Sequence, residues 1–141
     1  MEITRSGLET VKGPEDWFTG DVYIDPVAAA PAPGRMQANL VHFTPGARTA
    51  WHSHPLGQTL YVTEGTGLVQ SRDGDLTSIR PGDVIYTPPD EWHWHGAAPN
   101  RFMVHLALNE VDDEHVAANW GDHVTDEEYA AAPSRSGEAA R

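Results

Sequence analysis

The chain carries four side chains with metal-binding atoms at spacings that β-strands can bring together: His52, His54, Gln58 and His93. In a strand, residues i and i+2 project from the same face, so His52 and His54 can hold one ion together, whereas a helix would splay them apart. Three imidazoles and one amide oxygen are four neutral donors, which suit Mn, Fe, Co, Ni or Zn. The spacing therefore predicts a β-fold that holds one divalent metal per chain.

The rest of the chain is typical of a barrel or sandwich of short strands. Its 13 glycines and 11 prolines fall mostly between runs rich in β-forming residues. The Asp73-Gly74 pair predicts a tight hairpin turn, because glycine accepts the positive φ that such a turn needs. The predicted strands cover residues 21–24, 36–43, 47–54, 58–63, 68–72, 76–79, 84–87, 93–96 and 101–109.

Helical signal is confined to the C-terminal quarter. Residues 115–120 favour a short turn, and Thr125 with Glu128 has the spacing of a capping box that begins a short helix. Residues 133–141 contain too little apolar surface to pack, so a disordered tail is expected there. The chain is therefore predicted to form one all-β domain over residues 1–132 with a short C-terminal helical segment.

The composition excludes several classes of function. The 21 acidic residues against 9 basic ones give a formal charge of −12, which repels phosphate backbones and anionic lipids. Nucleic-acid and membrane partners are therefore not expected. Because the chain has no cysteine, a disulfide scaffold and thiolate chemistry are also excluded. No long apolar segment follows Met1–Arg5, so a cytoplasmic location is predicted.

One stretch resembles the first signature motif of the cupin superfamily. It runs over residues 46–65 and carries His52 and His54, with Gln58 where most cupins have glutamate. A glutamine in that position removes one negative charge from the ligand set and leaves a bound ion more electrophilic. The substitution favours Lewis-acid chemistry over oxygen activation.

A second stretch resembles the second cupin motif. It runs over residues 82–97 and carries Pro88 and His93, while Asp90 and Ala97 stand in place of the usual glycine and asparagine. Those two positions serve turns and local hydrogen bonds and do not bind the metal. The differences therefore affect the match to the turns more than the match to the metal site.

Longer stretches resemble one subgroup, the bacterial manganese-dependent cupins with hydroxynitrile lyase activity. They extend over almost the whole chain and include residues 17–20, 45–60, 93–99 and 123–127. The resemblance implies a single-domain cupin, that is, an antiparallel double-sheet β-barrel or jelly roll. It also implies manganese as the ion, a small-molecule substrate and assembly as a homodimer or homotetramer.

The same resemblance implies a carbon–carbon lyase. Such an enzyme cleaves cyanohydrins such as mandelonitrile into an aldehyde and hydrogen cyanide, and forms them in the reverse direction, with the metal as a Lewis acid. Two other classes stay open. One is an oxygenase that uses iron at the same four residues to oxidise a small organic substrate, and the other is a cupin that binds a small molecule without turnover.

Two further histidines are candidates for proton transfer. His105 lies on the mixed face of an alternating strand, and the lyases have a histidine at the matching position. His95 shares the strand face of His93, so both a catalytic role and a buried histidine bonded to backbone remain open for it.

The resemblance also places Asn39 and Val41 in the substrate cavity, and Asn109 joins them because it shares the strand face of His105. His42 has the opposite parity to Asn39 and Val41 and is expected to point outward.

The remaining large or titratable side chains have simpler interpretations. His115 and His123 are expected to be solvated or docking residues in the acidic C-terminal segment. Trp51, Trp92 and Trp94 are assigned to barrel packing or a subunit interface.

Overall fold

Short runs of β-branched and aromatic residues, separated by glycine and proline, form the strands of this protein. The structure is a computed structural model, and it describes residues 1–5 and 8–131. The regular elements in chain order are β1 Val11–Lys12, β2 Phe18–Thr19, β3 Val22–Ala29, β4 Met36–Phe43, β5 Arg48–Thr49, β6 His52–Ser53, β7 Gln58–Gly65, β8 Gly67–Ser71, β9 Thr77–Ile79, β10 Val84–Thr87, β11 His93–Ala97, β12 Met103–Glu110, β13 Asn119–Trp120 and α1 Asp126–Ala130.

Sheet A contains six antiparallel strands in the order β1-β3-β4-β12-β7-β10. Its central strand β12 pairs with β4 over all eight of its residues and with β7 on the other side. The alternation predicted for this strand holds from His105 to Leu108, where His105 and Ala107 are buried and Leu106 and Leu108 are only partly buried, but Val104 is buried as well. A β-bulge on β7 interrupts the β12 pairing next to His105.

Sheet B is antiparallel and is centred on β11, which pairs with β8 along one edge and with β6 and β5 along the other. The strands β13, β2 and β9 extend it beyond β6, β5 and β8. The single strand predicted over residues 47–54 is therefore wrong, because it forms two short pieces. Between them, Ala50 donates its backbone N–H to Trp17 and Trp51 donates to Asp122, which takes this stretch out of the β11 ladder.

The main hydrophobic core lies between the two sheets. It is built from inward-facing side chains of both sheets, with Phe43, Leu60, Val62 and Met103 all fully buried. This packing of two curved antiparallel sheets confirms the predicted β-barrel class.

A second hydrophobic cluster covers the outer face of sheet B. Trp51 and Trp94 pack there with Val124 and Tyr129 from the C-terminal segment, and partly buried Trp92 packs against them, as predicted for the three tryptophans. The Tyr129 hydroxyl donates to the Ala97 carbonyl at 2.6 Å, which attaches α1 to the sheet.

The C-terminal predictions have mixed outcomes. The capping box is confirmed, since Thr125 accepts from Glu128 N–H and Glu128 accepts from Thr125 N–H. The turn predicted over residues 115–120 is wrong at its end, because Asn119 and Trp120 form β13 by pairing with β6. The predicted disordered tail, residues 133–141, lies outside the described part of the chain.

No helix within residues 1–5 and 8–131 has both the length and the apolar content needed to span a membrane.

Candidate metal centre and cavity

Five histidines converge at one end of the barrel interior and are called here the histidine cluster: His52, His54, His93, His95 and His105. Each exposes at most 4% of its surface. The centroid of the His52 ring lies 4.2 Å from that of His93 and 4.9 Å from that of His54. Sheet B supplies His52, His93 and His95, His54 directly follows β6, and His105 comes from β12 of sheet A.

Backbone carbonyls orient three of the rings. In each, Nδ1 bonds a carbonyl oxygen: His52 bonds Ala50 at 2.9 Å, His54 bonds Ala117 at 2.8 Å and His93 bonds Glu91 at 3.0 Å. Because a carbonyl oxygen only accepts, Nδ1 must carry the proton and Nε2 must carry a lone pair. This is the arrangement in which proteins present histidine to a metal ion.

Two of these lone pairs, on His54 and His93, lack proton donors. His93 Nε2 lies 3.3 Å from Gln58 Oε1, so two acceptors face each other in a buried site. His54 Nε2 is buried and has no hydrogen-bond partner among the described residues. Buried acceptors without donors are costly unless a cation satisfies them. The residues present therefore fit a divalent metal with imidazole and amide ligands.

A different trio of histidines also has closely spaced ligand atoms. The potential ligand atoms of His52, His93 and His95 all lie within 4.8 Å of one another, and these three buried residues can hold a metal ion. His54 adds a fourth ring, with its centroid 5.4 Å from that of His93. The structure thus brings the four predicted ligands together and places His95 beside them, and the predicted ligand set stays a proposal.

His95 and His105 form a hydrogen-bonded pair. His105 Nε2 lies 2.9 Å from His95 Nδ1, so one ring donates and the other accepts. Thr49 anchors His95 by accepting its backbone N–H at 3.2 Å. The outer nitrogens of the pair, His95 Nε2 and His105 Nδ1, are buried without a partner among the described residues. The pair can therefore accept or release a proton toward the cavity.

Burial keeps the whole cluster neutral. It lowers the pKa of His93 and of His105 to about 4 and lowers that of His54. Burial, with nearby histidines adding to it, holds the pKa values of His52 and His95 well below the ordinary range. Neutral imidazoles can bind a cation near pH 7 without first releasing a proton.

A cavity of about 520 Å³ opens above the cluster. Asn39, Val41 and Asn109, the residues predicted to contact substrate, line it together with His95 and His105. Their contact with a substrate stays a proposal.

Sequence reasoning missed the residues at the mouth of the cavity. Trp17 and Trp120 line it and stack on each other, with ring centroids 4.9 Å apart and planes at 7°. His115, predicted to be solvated, is exposed and also lines the cavity. These residues come from opposite ends of the chain, so no periodicity or local spacing could associate them.

His42 lies on the outer face of sheet A, as predicted, where its Nε2 is 2.9 Å from Asp25 Oδ2. Thr10 donates to the other oxygen of that carboxylate.

Arg72 packs against the outer cluster of sheet B, with its guanidinium 4.6 Å from the Trp51 ring and 5.5 Å from the Trp92 ring.

Comparison with known proteins gives consistent matches. Residues 39–109 match the family model described as a cupin domain. The (R)-mandelonitrile lyase of Granulicella tundricola is 55% identical over 130 residues, which cover 92% of this chain and 98% of that protein. Gentisate 1,2-dioxygenase 1 of Aquipseudomonas alcaligenes is 35% identical over 60 residues, which cover 43% of this chain and 17% of that protein.

A solved structure of a cupin-like protein from Thermotoga maritima superposes with a TM-score of 0.80 at 43% identity. The match covers 86% of this chain and 91% of that one.

Proposed function

The chain belongs to the cupin family, and we propose that it is a metal-dependent hydroxynitrile lyase that cleaves and forms cyanohydrins such as mandelonitrile. The likeness to (R)-mandelonitrile lyase carries this proposal, because it extends over 98% of that protein at 55% identity. A buried pair of neutral histidines beside a set of metal-binding donors supports the same chemistry.

The metal would be held by His52, His54, Gln58 and His93, with His95 close enough to complete or replace one ligand. Manganese is the proposed ion because the resemblance points to it, whereas the donors alone also suit iron, zinc, nickel or cobalt. When bound, the ion supplies Lewis-acid stabilisation of negative charge developing on the substrate oxygen.

The His95–His105 pair is proposed to move the proton. The reaction removes the hydroxyl proton, converts the C–O bond into a carbonyl and breaks the C–C bond, whose electron pair leaves with cyanide. Cyanide then takes up the proton to form hydrogen cyanide, so the reaction needs no oxidant or reductant. Because burial holds the pKa of His105 at about 4, this imidazole is neutral at working pH and can accept the proton.

The walls of the cavity are proposed to select one enantiomer of the substrate. Val41 and Phe43 give it an apolar side, while Asn39 and Asn109 give it a polar one. A cyanohydrin carries one apolar substituent, one hydroxyl and one nitrile on the same carbon. A cavity with distinct sides can therefore favour one enantiomer, and the relative's name indicates the R form.

An oxygenase remains the second candidate, and the likeness to gentisate 1,2-dioxygenase over 60 residues is the observation in its favour. That likeness spans only 17% of the dioxygenase, and Gln58 in place of glutamate works against oxidised states of a bound iron.

Assembly as a homodimer or homotetramer is proposed from sheet A. Its outer face exposes Tyr61, Val84 and Tyr86, which are neighbours in the β7–β10 pairing. A contiguous exposed apolar patch of this kind marks an interaction surface. A cytoplasmic location stays a prediction.

The decisive experiment is a cyanide-release assay on manganese-loaded protein with racemic mandelonitrile at mildly acidic pH, where uncatalysed breakdown is slow. We expect release well above that of buffer containing free manganese, with one enantiomer consumed first. Release no faster than buffer at full metal occupancy would contradict the lyase. Oxygen consumption measured in parallel on gentisate tests the oxygenase alternative.

A further inference from the structure

The segment over residues 112–120, called here the C-terminal strap, lies outside the stretch that matches the cupin family model, which ends at residue 109. It nevertheless contacts two histidines of the proposed ligand set. The Ala117 carbonyl accepts from His54 Nδ1 at 2.8 Å, and the Trp120 ring stacks on the His52 ring.

Trp120 stacks on one of the proposed ligands. Its ring centroid lies 4.6 Å from that of His52, and the two planes meet at 26°. Its other face is covered by Trp17 from the N-terminal arm. Sheet pairing fixes its position, since Trp120 is the register partner of His52 between β13 and β6. The His52 ring is therefore held both by its bond to Ala50 and by a stacked indole.

Asp112 holds the start of the strap. Its Oδ1 accepts from the backbone N–H of Glu114 at 2.9 Å and of Val116 at 2.8 Å, and its own N–H donates to the Val116 carbonyl. The tight loop forces His115 into the left-handed region at φ 62°. These bonds immediately precede Ala117 and so place its carbonyl opposite His54.

We propose that the C-terminal strap is part of the metal site, with Trp120 as the positioning residue for His52 and Asp112 as the residue that places the carbonyl bonded by His54. The proposal rests on the metal site proposed above. Groups that orient metal ligands contribute strongly, and their loss costs about 10- to 100-fold in metal affinity. Neither residue belongs to the proposed ligand set, so each would act only through the ring that it orients.

The test measures the Mn²⁺ dissociation constant of metal-stripped full-length protein, by electron paramagnetic resonance of free Mn²⁺, without any substrate. We expect Trp120→Ala to raise this constant about 10- to 100-fold and Trp120→Phe, which keeps a stacked ring, to restore most of the affinity. Trp17→Ala is the matched control. It removes an indole that covers only the far face of Trp120, so it should change the constant by about twofold or less.

Asp112 provides an independent pair of variants. Asp112→Asn keeps an oxygen acceptor for both backbone N–H groups and should bind Mn²⁺ like the wild type, whereas Asp112→Ala should weaken binding about tenfold. Visible absorption of the Co²⁺-loaded proteins reports the ligand arrangement, and its bands should shift in Trp120→Ala but not in Trp17→Ala.

Thermal unfolding of the metal-free variants separates positioning from general stability. If Trp120→Ala and Asp112→Ala unfold at lower temperature but bind Mn²⁺ with wild-type affinity and Co²⁺ spectra, the strap is only structural and the inference is wrong. Absence of Mn²⁺ binding by the wild type would instead overturn the metal site itself. A failed lyase assay with intact metal affinity would leave the strap inference standing.

Discussion

Four strands of sheet A, β3, β4, β7 and β12, run for eight residues each, whereas the pieces of sheet B run for two to five. The long strands of sheet A hold one another through continuous antiparallel ladders. Sheet B depends instead on contacts from outside the sheet. For example, buried Arg48 donates to the Val124 carbonyl at 2.8 Å and lies 4.6 Å from the Tyr129 ring centroid.

The difference matters because the site draws on the two sheets unequally. Sheet B and the residue after β6 supply His52, His54, His93 and His95, while sheet A supplies Gln58 and His105. The ladders of sheet A form a stable wall that lines the cavity. The short strands of sheet B are interrupted and fixed by neighbouring segments, so that their imidazoles converge in the histidine cluster. We therefore expect sheet B variants to affect metal retention and sheet A variants to affect turnover.

The largest effect is expected for His93→Ala, at the start of the central strand of sheet B. It removes one of the proposed ligands, so metal content should fall from about one ion per chain to near zero. Elemental analysis of natively purified protein measures this. The control is His42→Ala on the outer face of sheet A, and full occupancy in His93→Ala would remove His93 from the site.

His105→Ala tests the opposite half of the comparison. We expect this sheet A variant to keep its metal and to lose about 100-fold or more in the rate of mandelonitrile cleavage, as when a positioned acid or base is removed. Metal content and cyanide release are measured on the same sample. An unchanged rate would assign proton transfer to His95, the other member of the hydrogen-bonded pair.

Gln58→Glu alters the one proposed ligand that sheet A contributes. The added negative charge should retain the metal but reduce turnover severalfold, because it lowers the electrophilicity of the ion. The comparison is made at equal metal content. A rise in turnover would mean that a neutral amide is not required for this chemistry.

Acid should destabilise the metal-free protein through the same buried histidines. Their folded-state pKa values lie below the ordinary 6.5, with His93 and His105 at about 4, so the unfolded chain binds more protons between these pH values. Stability is therefore full above pH 6.5 and falls as pH drops toward about 4. Between pH 6.5 and about 4, the melting temperature should fall less in His105→Ala than in His42→Ala. An equal fall in the two variants would show that buried His105 does not contribute to the acid destabilisation.

Thr125→Ala should give the smallest effect, because it touches only the helix that covers sheet B. It removes the side chain that caps α1 and should lower the free energy of unfolding by about 1 kcal/mol without changing metal affinity. Chemical denaturation measures the difference. Thr125→Ser keeps the hydroxyl and should match the wild type, while a large loss in both variants would show that the threonine methyl group matters more than the cap.

Part of sheet A could be predicted because its pattern is local, but β1 was not expected and β3 extends to Ala29, beyond the expected residues 21–24. The bounds of β4 and β10 agree with those expected, and the alternation around His105 placed it on the mixed face of its strand. The break between β5 and β6 could not be predicted, since it depends on bonds from Ala50 to Trp17 and from Trp51 to Asp122. Those partners are distant in sequence.

Asp90 illustrates how a motif position can be judged in advance. It replaces the glycine of the usual cupin motif, and its φ of 65° lies in the left-handed region that glycine adopts easily. Asp90 N–H donates to the His54 carbonyl at 2.9 Å. The motif showed that a turn was required, and aspartate is among the residues that tolerate this conformation best.

By itself, the sequence determined the class of fold, the absence of thiolate chemistry and the candidate ligands, because alternation, composition and motif spacing are properties of neighbouring residues. Only the tertiary structure paired His95 with His105 and stacked Trp120 on His52. It also placed the Ala117 carbonyl against His54. Such contacts join residues from 10 to more than 60 positions apart, and their geometry exists only once both sheets have closed around the cavity.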